Sequence, residues 1–117
     1  MSKYIEQFLA NLKAQTAPPK EETDKKKMRI INSWLKNETP QYKRYRDKGG
    51  SNLQYLAHMF AKAGIDKAAA WEFAKEELGG WYDQTSQDDM KTEFDIEFDS
   101  TSEDAAWSDR VFGFLSK

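Results

Sequence analysis

Apolar residues recur at helical spacing along most of the chain and predict a mostly α fold. The pattern is clearest from Ser51 to Leu78, where two amphipathic helices flank a turn at Gly64. Ser51 and Asp66 are favourable N-cap residues for these two helices. Three further helical segments predict a compact bundle of about five helices. The last of them starts near Ser102 and is expected to bury Trp107, Val111, Phe114 and Leu115.

The pattern divides the chain into three predicted parts. Residues 1–14 form an amphipathic helix, because five apolar side chains share one helical stripe: Tyr4, Ile5, Phe8, Leu9 and Leu12. Residues 15–24 contain two prolines and several charges but no large apolar residue, which indicates a linker. Residues 25–117 form a single helical domain that opens with a helix at Lys25. The first turn of that helix is Lys-Lys-Lys, the wrong sign for the positive end of a helix dipole.

Residues 92–99 break the helical pattern, because apolar and acidic side chains alternate strictly. The apolar set is Phe94, Ile96 and Phe98, and the acidic set is Glu93, Asp95, Glu97 and Asp99. A period of two predicts an extended or single-strand segment with its four carboxylates on one face. A lone strand would either join the sheet of a partner or lay its aromatic side chains across the helices.

The composition fits one modest core. Apolar residues make up 38% of the 117 residues and aromatic residues 14%. The absence of cysteine excludes a disulfide scaffold, a thiolate metal site and a cysteine nucleophile. No signal-peptide pattern and no run of about 18 apolar residues is present, so we expect a cytoplasmic protein without a membrane partner.

The net charge of −2 conceals a strong asymmetry. Residues 1–58 carry 12 Lys and Arg against 6 Asp and Glu, whereas residues 59–117 carry 6 against 14. Three interpretations remain open: a charged partner, pairing between the two halves, or charges that only keep an aromatic-rich domain in solution.

A basic, tyrosine-bearing segment follows Thr39 and Pro40, which begin a short helix. Its cations could contact the phosphates of a nucleic acid and its aromatic rings the bases. Free backbone amides at the start of the next helix could hold a further phosphate. The predicted nucleic-acid-binding residues are Lys43, Arg44, Tyr45, Arg46, Lys48, Ser51 and Asn52. The alternative is that the tyrosines pack in the core and the cations are only solvated.

The acidic segment is the second candidate surface. Its predicted partner-binding residues are Glu93, Phe94, Asp95, Glu97 and Asp99. Carboxylates about 7 Å apart on a strand are too distant to share one small ion, and the glycine of a calcium loop is missing. We therefore expect no metal, and either a solvated face or an anionic strip that meets a basic partner.

Catalytic chemistry has little support. His58 is the only histidine, and Lys62 stands four residues later, where a second metal ligand would be needed. A hydrolase built on the carboxylates would need a cleft and an acid with a raised pKa. A groove-reading helix-turn-helix is rejected, because its second helix would be acidic. We expect no enzyme and no cofactor.

The stretch KGGSNLQYLAHMFAKAGIDKAAAW resembles the primase C-terminal-type helical domains of mobile-element replication proteins. The resemblance covers about residues 48–71 and is carried by Gly50, Asn52, Leu53, Leu56, Ala57, Gly64 and Ile65. Ser51 stands where those domains tend to have arginine. The resemblance implies a DNA-processing context and no catalytic residues.

The sequence favours a non-enzymatic macromolecule-binding protein that occupies a surface of a protein or nucleoprotein partner. Its small size suits a modulator or inhibitor encoded by a phage or mobile element. The alternative is a helical nucleic-acid-binding accessory module of a replication system, and a small carboxylate-dependent hydrolase ranks third. The oligomeric state stays open.

Overall fold

The computed structural model describes residues 20–79 and 83–116, which build six α-helices. The helices are α1 (Lys20–Lys36), α2 (Pro40–Asp47), α3 (Asn52–Lys62), α4 (Lys67–Leu78), α5 (Gln84–Asp99) and α6 (Ala105–Phe112), and a 3-10 turn follows at Gly113–Ser116. These two ranges contain no strand, and the predicted mostly α bundle is confirmed. The predicted helix at residues 1–14 lies outside the described residues.

Helix α3 lies at the centre of the bundle because most of its surface is apolar and buried, with Gln54, His58 and Lys62 on the remaining half-buried side. Its buried residues are Leu53, Tyr55, Leu56, Ala57, Met59, Phe60 and Ala61. Helices α1, α4 and α5 pack around it. A broad apolar surface is stable only when neighbours cover it, so α3 fixes the positions of the other elements.

The caps of α3 and α4 follow the sequence prediction. The Ser51 hydroxyl accepts a hydrogen bond from the Gln54 N–H, while Gln54 Oε1 accepts one from the Ser51 N–H, which makes a reciprocal capping box. Asp66 accepts a hydrogen bond from the Ala69 N–H at the start of α4. Gly64 has φ of +75°, the left-handed conformation that reverses the chain between the two helices.

The predicted extended segment at residues 92–99 is wrong, because these residues are the second half of α5. Met90, Phe94 and Phe98 follow at intervals of four, so a helix places all three against the core. Phe94 is fully buried, whereas Ile96 is 66% exposed. A helix also satisfies its own backbone hydrogen bonds, which a lone strand cannot do. Asp83 caps α5 by accepting from the Ser86 N–H.

Helix α1 begins at Lys20, five residues before the predicted start at Lys25. Residues 20–24, assigned to the linker, therefore form the first part of α1. Glu21 and Glu22 occupy the first turn, so the helix dipole meets acids there and the predicted sign conflict does not arise. Asp24 is buried and accepts a hydrogen bond from Lys20 Nζ over 2.7 Å.

The C-terminal helix buries a different phenylalanine from the one predicted. Asp104 is the N-cap of α6, later than the predicted start near Ser102. After Phe112 the chain tightens into the 3-10 turn, which changes the direction of the side chains that follow. Phe112 is buried against Trp34 with ring centroids 5.9 Å apart, whereas Phe114 is 60% exposed, so its predicted burial is wrong.

Candidate interaction surface

The four predicted carboxylates of the acidic segment do not share one face. Residues two positions apart in a helix point to nearly opposite sides, so Glu93 and Glu97 lie on a different side of α5 from Asp95 and Asp99. Glu97 is half-buried and points towards α2 and α3, where Tyr45 and His58 contact it. Asp95 pairs with Lys91 over 2.7 Å, and its Oδ1 is buried without a hydrogen-bond partner.

Phe94, a predicted partner-binding residue, is part of the core. Its ring centroid lies 5.5 Å from that of Trp71 and 5.9 Å from that of Phe98. A fully buried side chain cannot contact a partner of the folded protein, so the structure removes Phe94 from that surface.

The outward side of α5 presents a different set of residues, which we call the α5 face. Its exposed members are Asp88, Asp89, Thr92, Ile96 and Asp99, and the half-buried Glu93 lies at its edge. Ile96 is one of two large hydrophobic residues that are strongly exposed within the described ranges. Asp99 pairs with Lys67 at 3.2 Å, whereas no ion pair among the described residues uses Asp89 or Glu93.

The predicted basic patch on α2 is only partly available to a ligand. Lys43, Arg44 and Lys48 are exposed. Arg46 Nη1 instead forms an ion pair with Glu38 at 2.8 Å, and its guanidinium lies 5.5 Å from the centroid of the Tyr42 ring. Of the four predicted cations, three therefore remain without an ion pair among the described residues.

The predicted anion-binding amides at the start of α3 are largely occupied. The Gly50 N–H donates to the Tyr45 carbonyl, and the Ser51 N–H donates to Gln54 in the capping box. The side chain of Asn52 accepts a hydrogen bond from the Tyr42 hydroxyl over 2.6 Å. Ser51 and Asn52 thus serve the fold.

The two predicted surfaces meet at Tyr45. Its hydroxyl donates a hydrogen bond to Glu97 Oε1 over 3.0 Å, which ties α2 to α5. The Tyr45 ring lies 5.6 Å from the His58 ring, whose Nδ1 is 3.1 Å from Thr101 Oγ1 and 3.6 Å from Glu97 Oε1. The Thr101 hydroxyl donates to the Glu97 carbonyl, so its oxygen is free to accept from His58.

Burial sets the protonation of this cluster. The pKa of the Tyr45 hydroxyl is raised well above its usual range, chiefly by burial and then by the hydrogen bond to Glu97. The hydroxyl therefore keeps its proton and remains a hydrogen-bond donor. Burial lowers the pKa of His58, against the opposing effect of Glu97 and with a further lowering by Lys62. A neutral His58 is therefore the form present at neutral pH.

Helix α1 carries a second charged surface outside the predicted site residues, which we call the α1 ridge. Its members are Lys25, Lys26, Arg29 and Lys36. The first three make no ion pair within the described ranges. The signal for this ridge is the spacing of the cations on the exposed side of the helix.

Lys25 and Arg29 also border an open groove of about 510 Å³ between α1 and α4. Glu72 and Glu76 line the same groove from α4. Its charged walls have opposite signs, so the groove as a whole favours neither an anion nor a cation.

Metal and membrane sites receive no support from residues 20–79 and 83–116. This part of the chain has no group of three or more metal-ligating side chains close enough to hold an ion. None of the helices it contains has the length and apolar character needed to cross a bilayer.

No protein-family model matches the chain, and no curated protein and no solved structure matches it either. The stretch that resembles primase C-terminal-type domains forms α3, the Gly64 turn and the first part of α4. Function is therefore inferred from the surfaces themselves.

Proposed function

We propose that the protein is a non-enzymatic binding protein that acts by occupying a surface of a protein or nucleoprotein partner. The α5 face is the contact surface. The observation that carries the proposal is Ile96, a large apolar side chain that is 66% exposed among carboxylates.

An apolar centre with a charged rim has the anatomy of a protein–protein contact. Burying an exposed isoleucine contributes about 1.5–3 kcal/mol. The surrounding carboxylates of Asp88, Asp89 and Glu93 add long-range attraction for a basic partner and raise its association rate. The partner surface that fits is therefore cationic and covers the Ile96 side chain.

Capture from a lysate of the source cells tests this function by comparing matched variants. The contact variant carries Asp89→Ser, Glu93→Gln and Ile96→Ser, and the control variant carries Lys43→Ser, Arg44→Ser and Lys48→Ser on α2. We expect a protein that wild type and the control enrich and the contact variant loses. With that protein purified, Ile96→Ser alone should weaken binding about tenfold or more, as loss of an apolar anchor does. A partner that all three forms capture equally would contradict a contact through α5.

A nucleic-acid-binding accessory module is the second candidate, and the cations of α1 and α2 favour it. The exposed residues are Lys25, Lys26, Arg29, Lys43, Arg44 and Lys48. The resemblance of residues 48–71 to primase-associated domains supports the same candidate.

Nucleic-acid binding is tested by fluorescence anisotropy with labelled single- and double-stranded DNA at several salt concentrations. Each phosphate neutralised contributes about −0.7 to −0.9 to the slope of log K against log salt. Two double charge reversals should each flatten this slope: Lys25→Glu with Arg29→Glu on α1, and Lys43→Glu with Arg44→Glu on α2. An affinity that neither pair changes would remove this candidate.

A further inference from the structure

The α1 ridge and the α5 face have the same spacing along their helices. On α1 the exposed members are Lys25, Lys26, Arg29 and Lys36, and on α5 they are Asp88, Asp89, Thr92, Ile96 and Asp99. The first, second, third and last positions of the two sets are separated by the same numbers of residues. Each set spans about 16 Å along its helix at the helical rise per residue. Cations lie at both ends of one stripe and carboxylates at both ends of the other.

The charges of both surfaces are largely unused inside the molecule. Ion pairs among residues 20–79 and 83–116 involve Lys36 and Asp99 but leave Lys25, Lys26 and Arg29 unpaired. Within the same ranges the Asp88 carboxylate accepts a hydrogen bond from the neutral side chain of Gln84 and takes part in no ion pair. Unpaired charges on two matching stripes are free to attract each other between molecules.

The two surfaces cannot meet within one molecule. Helices α1 and α5 both pack against α3. Met28 and Ile31 of α1 and Phe94 of α5 point into the shared core, so each charged stripe lies on the side of its helix away from that core. A contact between the stripes therefore requires a second copy of the chain.

We propose that the α5 face binds the α1 ridge of a second copy of this protein. This self-association rests on the proposed function, because it assigns an occupant to the same face. The α1 and α5 surfaces differ, so the contact is heterologous and repeats into a ring or an open chain unless two copies pair reciprocally. One helix face on each side gives a small, polar interface, so the association is weak and sensitive to salt.

Sedimentation velocity of the full chain measures this association directly. At about 0.01 M salt, where charges act over about 30 Å, the weight-average mass should rise with protein concentration. At about 1 M salt, where that distance falls to about 3 Å, the protein should sediment as a monomer. A wild-type protein that is monomeric at low salt overturns the proposal.

Two charge-reversal variants locate the contact. The ridge variant carries Lys25→Glu, Lys26→Glu and Arg29→Glu, and the face variant carries Asp88→Lys, Asp89→Lys and Glu93→Lys. Each alone should be monomeric at low salt, because it presents two surfaces of like charge. A control with Lys43→Glu, Arg44→Glu and Lys48→Glu makes the same charge change as the ridge variant and should associate as wild type does.

Mixing the two variants supplies the decisive result. The mixture restores an acidic α5 face opposite a basic α1 ridge, so association should return to at least the wild-type level. Restoration also shows that both variants are folded, and circular dichroism checks this for each alone. If a variant fails to fold, the neutral set Lys25→Gln, Lys26→Gln and Arg29→Gln takes its place and should lose association without a like-charge effect. Association that survives either reversal, or a mixture of folded variants that stays monomeric, overturns the proposal.

Failure of self-association is distinguishable from failure of the proposed function. If wild type is monomeric but Ile96→Ser still loses the captured partner, only the proposal that a second copy occupies the α5 face is refuted. If the protein self-associates through α5 but Ile96→Ser loses no captured partner, only the proposal that the α5 face binds a different protein is refuted.

Discussion

Tyr45 shows how a single side chain can join two regions that are far apart in the sequence. The sequence analysis assigned Tyr45 to a nucleic-acid surface and Glu97 to a protein-binding surface. The two residues are 52 positions apart, yet they share a hydrogen bond of 3.0 Å. Local periodicity reports which side of a helix is apolar but not which helices meet, so this contact could not be predicted from the pattern.

Gly50 is required by the close approach of Tyr45. A Cβ at position 50 would overlap the Tyr45 ring, whereas one at Gly113 meets nothing within 4 Å. We expect Gly50→Ala to lower the free energy of unfolding by about 1–3 kcal/mol, as overpacking does. Gly113 has helical φ and ψ of −57° and −28°, so Gly113→Ala should raise it by about 0.4–1 kcal/mol. Urea unfolding measures both, and equal effects of the two substitutions would contradict the contact with Tyr45.

His58 makes the stability of the fold depend on pH in a defined direction. Its pKa is lower in the folded protein than its ordinary value of 6.5, because burial disfavours the imidazolium. The unfolded chain therefore binds the proton more readily, and the stabilising contribution present above pH 6.5 is lost as the pH falls through the folded pKa. As the only histidine, it gives one imidazole NMR titration, whose midpoint should lie below 6.5. Urea unfolding of wild type and His58→Gln should diverge below pH 6.5, with wild type losing more stability, and parallel curves would contradict this.

At the scale of the element, the predictable helices are those with strong end signals. The capping box of Ser51 and Gln54 and the left-handed Gly64 are local features, so the sequence alone located α3 and the start of α4. The α5 helix was missed because its acidic residues occupy every second position and imitate a strand. What decides for the helix is packing: Met90, Phe94 and Phe98, spaced by four residues, all contact the core. That contact with distant parts of the chain is not visible in the local pattern.

The helical register of α5 has a test that separates it from the strand. A strand would bury Phe94 and Ile96 together, whereas the helix buries the first and exposes the second. We expect Phe94→Ala to cost about 3–5 kcal/mol in the free energy of unfolding. Ile96→Ala, on the exposed side, should change it by less than about 0.5 kcal/mol. Thermal and urea unfolding of the pair would refute the helical register if both substitutions cost several kcal/mol.

At the scale of the whole molecule, the charge asymmetry remains on the surface. Among the Lys and Arg ion pairs of residues 20–79 and 83–116, Lys36 with Glu77 is the one that joins residues 1–58 to residues 59–117. Pairing between the halves therefore accounts for little of the asymmetry. The sequence predicted the imbalance but not the α5 face, because that surface exists only when residues 84–99 form a helix.

Ion-exchange retention near the isoelectric point tests whether the charges act as patches. At a pH near 5.5 the net charge is close to zero, yet a protein with separate basic and acidic faces should bind both cation and anion exchangers at low salt. Neutralising the α5 face with Asp88→Asn, Asp89→Asn and Glu93→Gln should shorten retention on the anion exchanger. The same number of carboxylates removed elsewhere, by Glu21→Gln, Glu22→Gln and Glu103→Gln, should shorten it less, because those residues lie outside the α5 face. Equal losses from the two sets would mean that net charge alone governs adsorption, and the α5 face would then have no electrostatic advantage in attracting a partner.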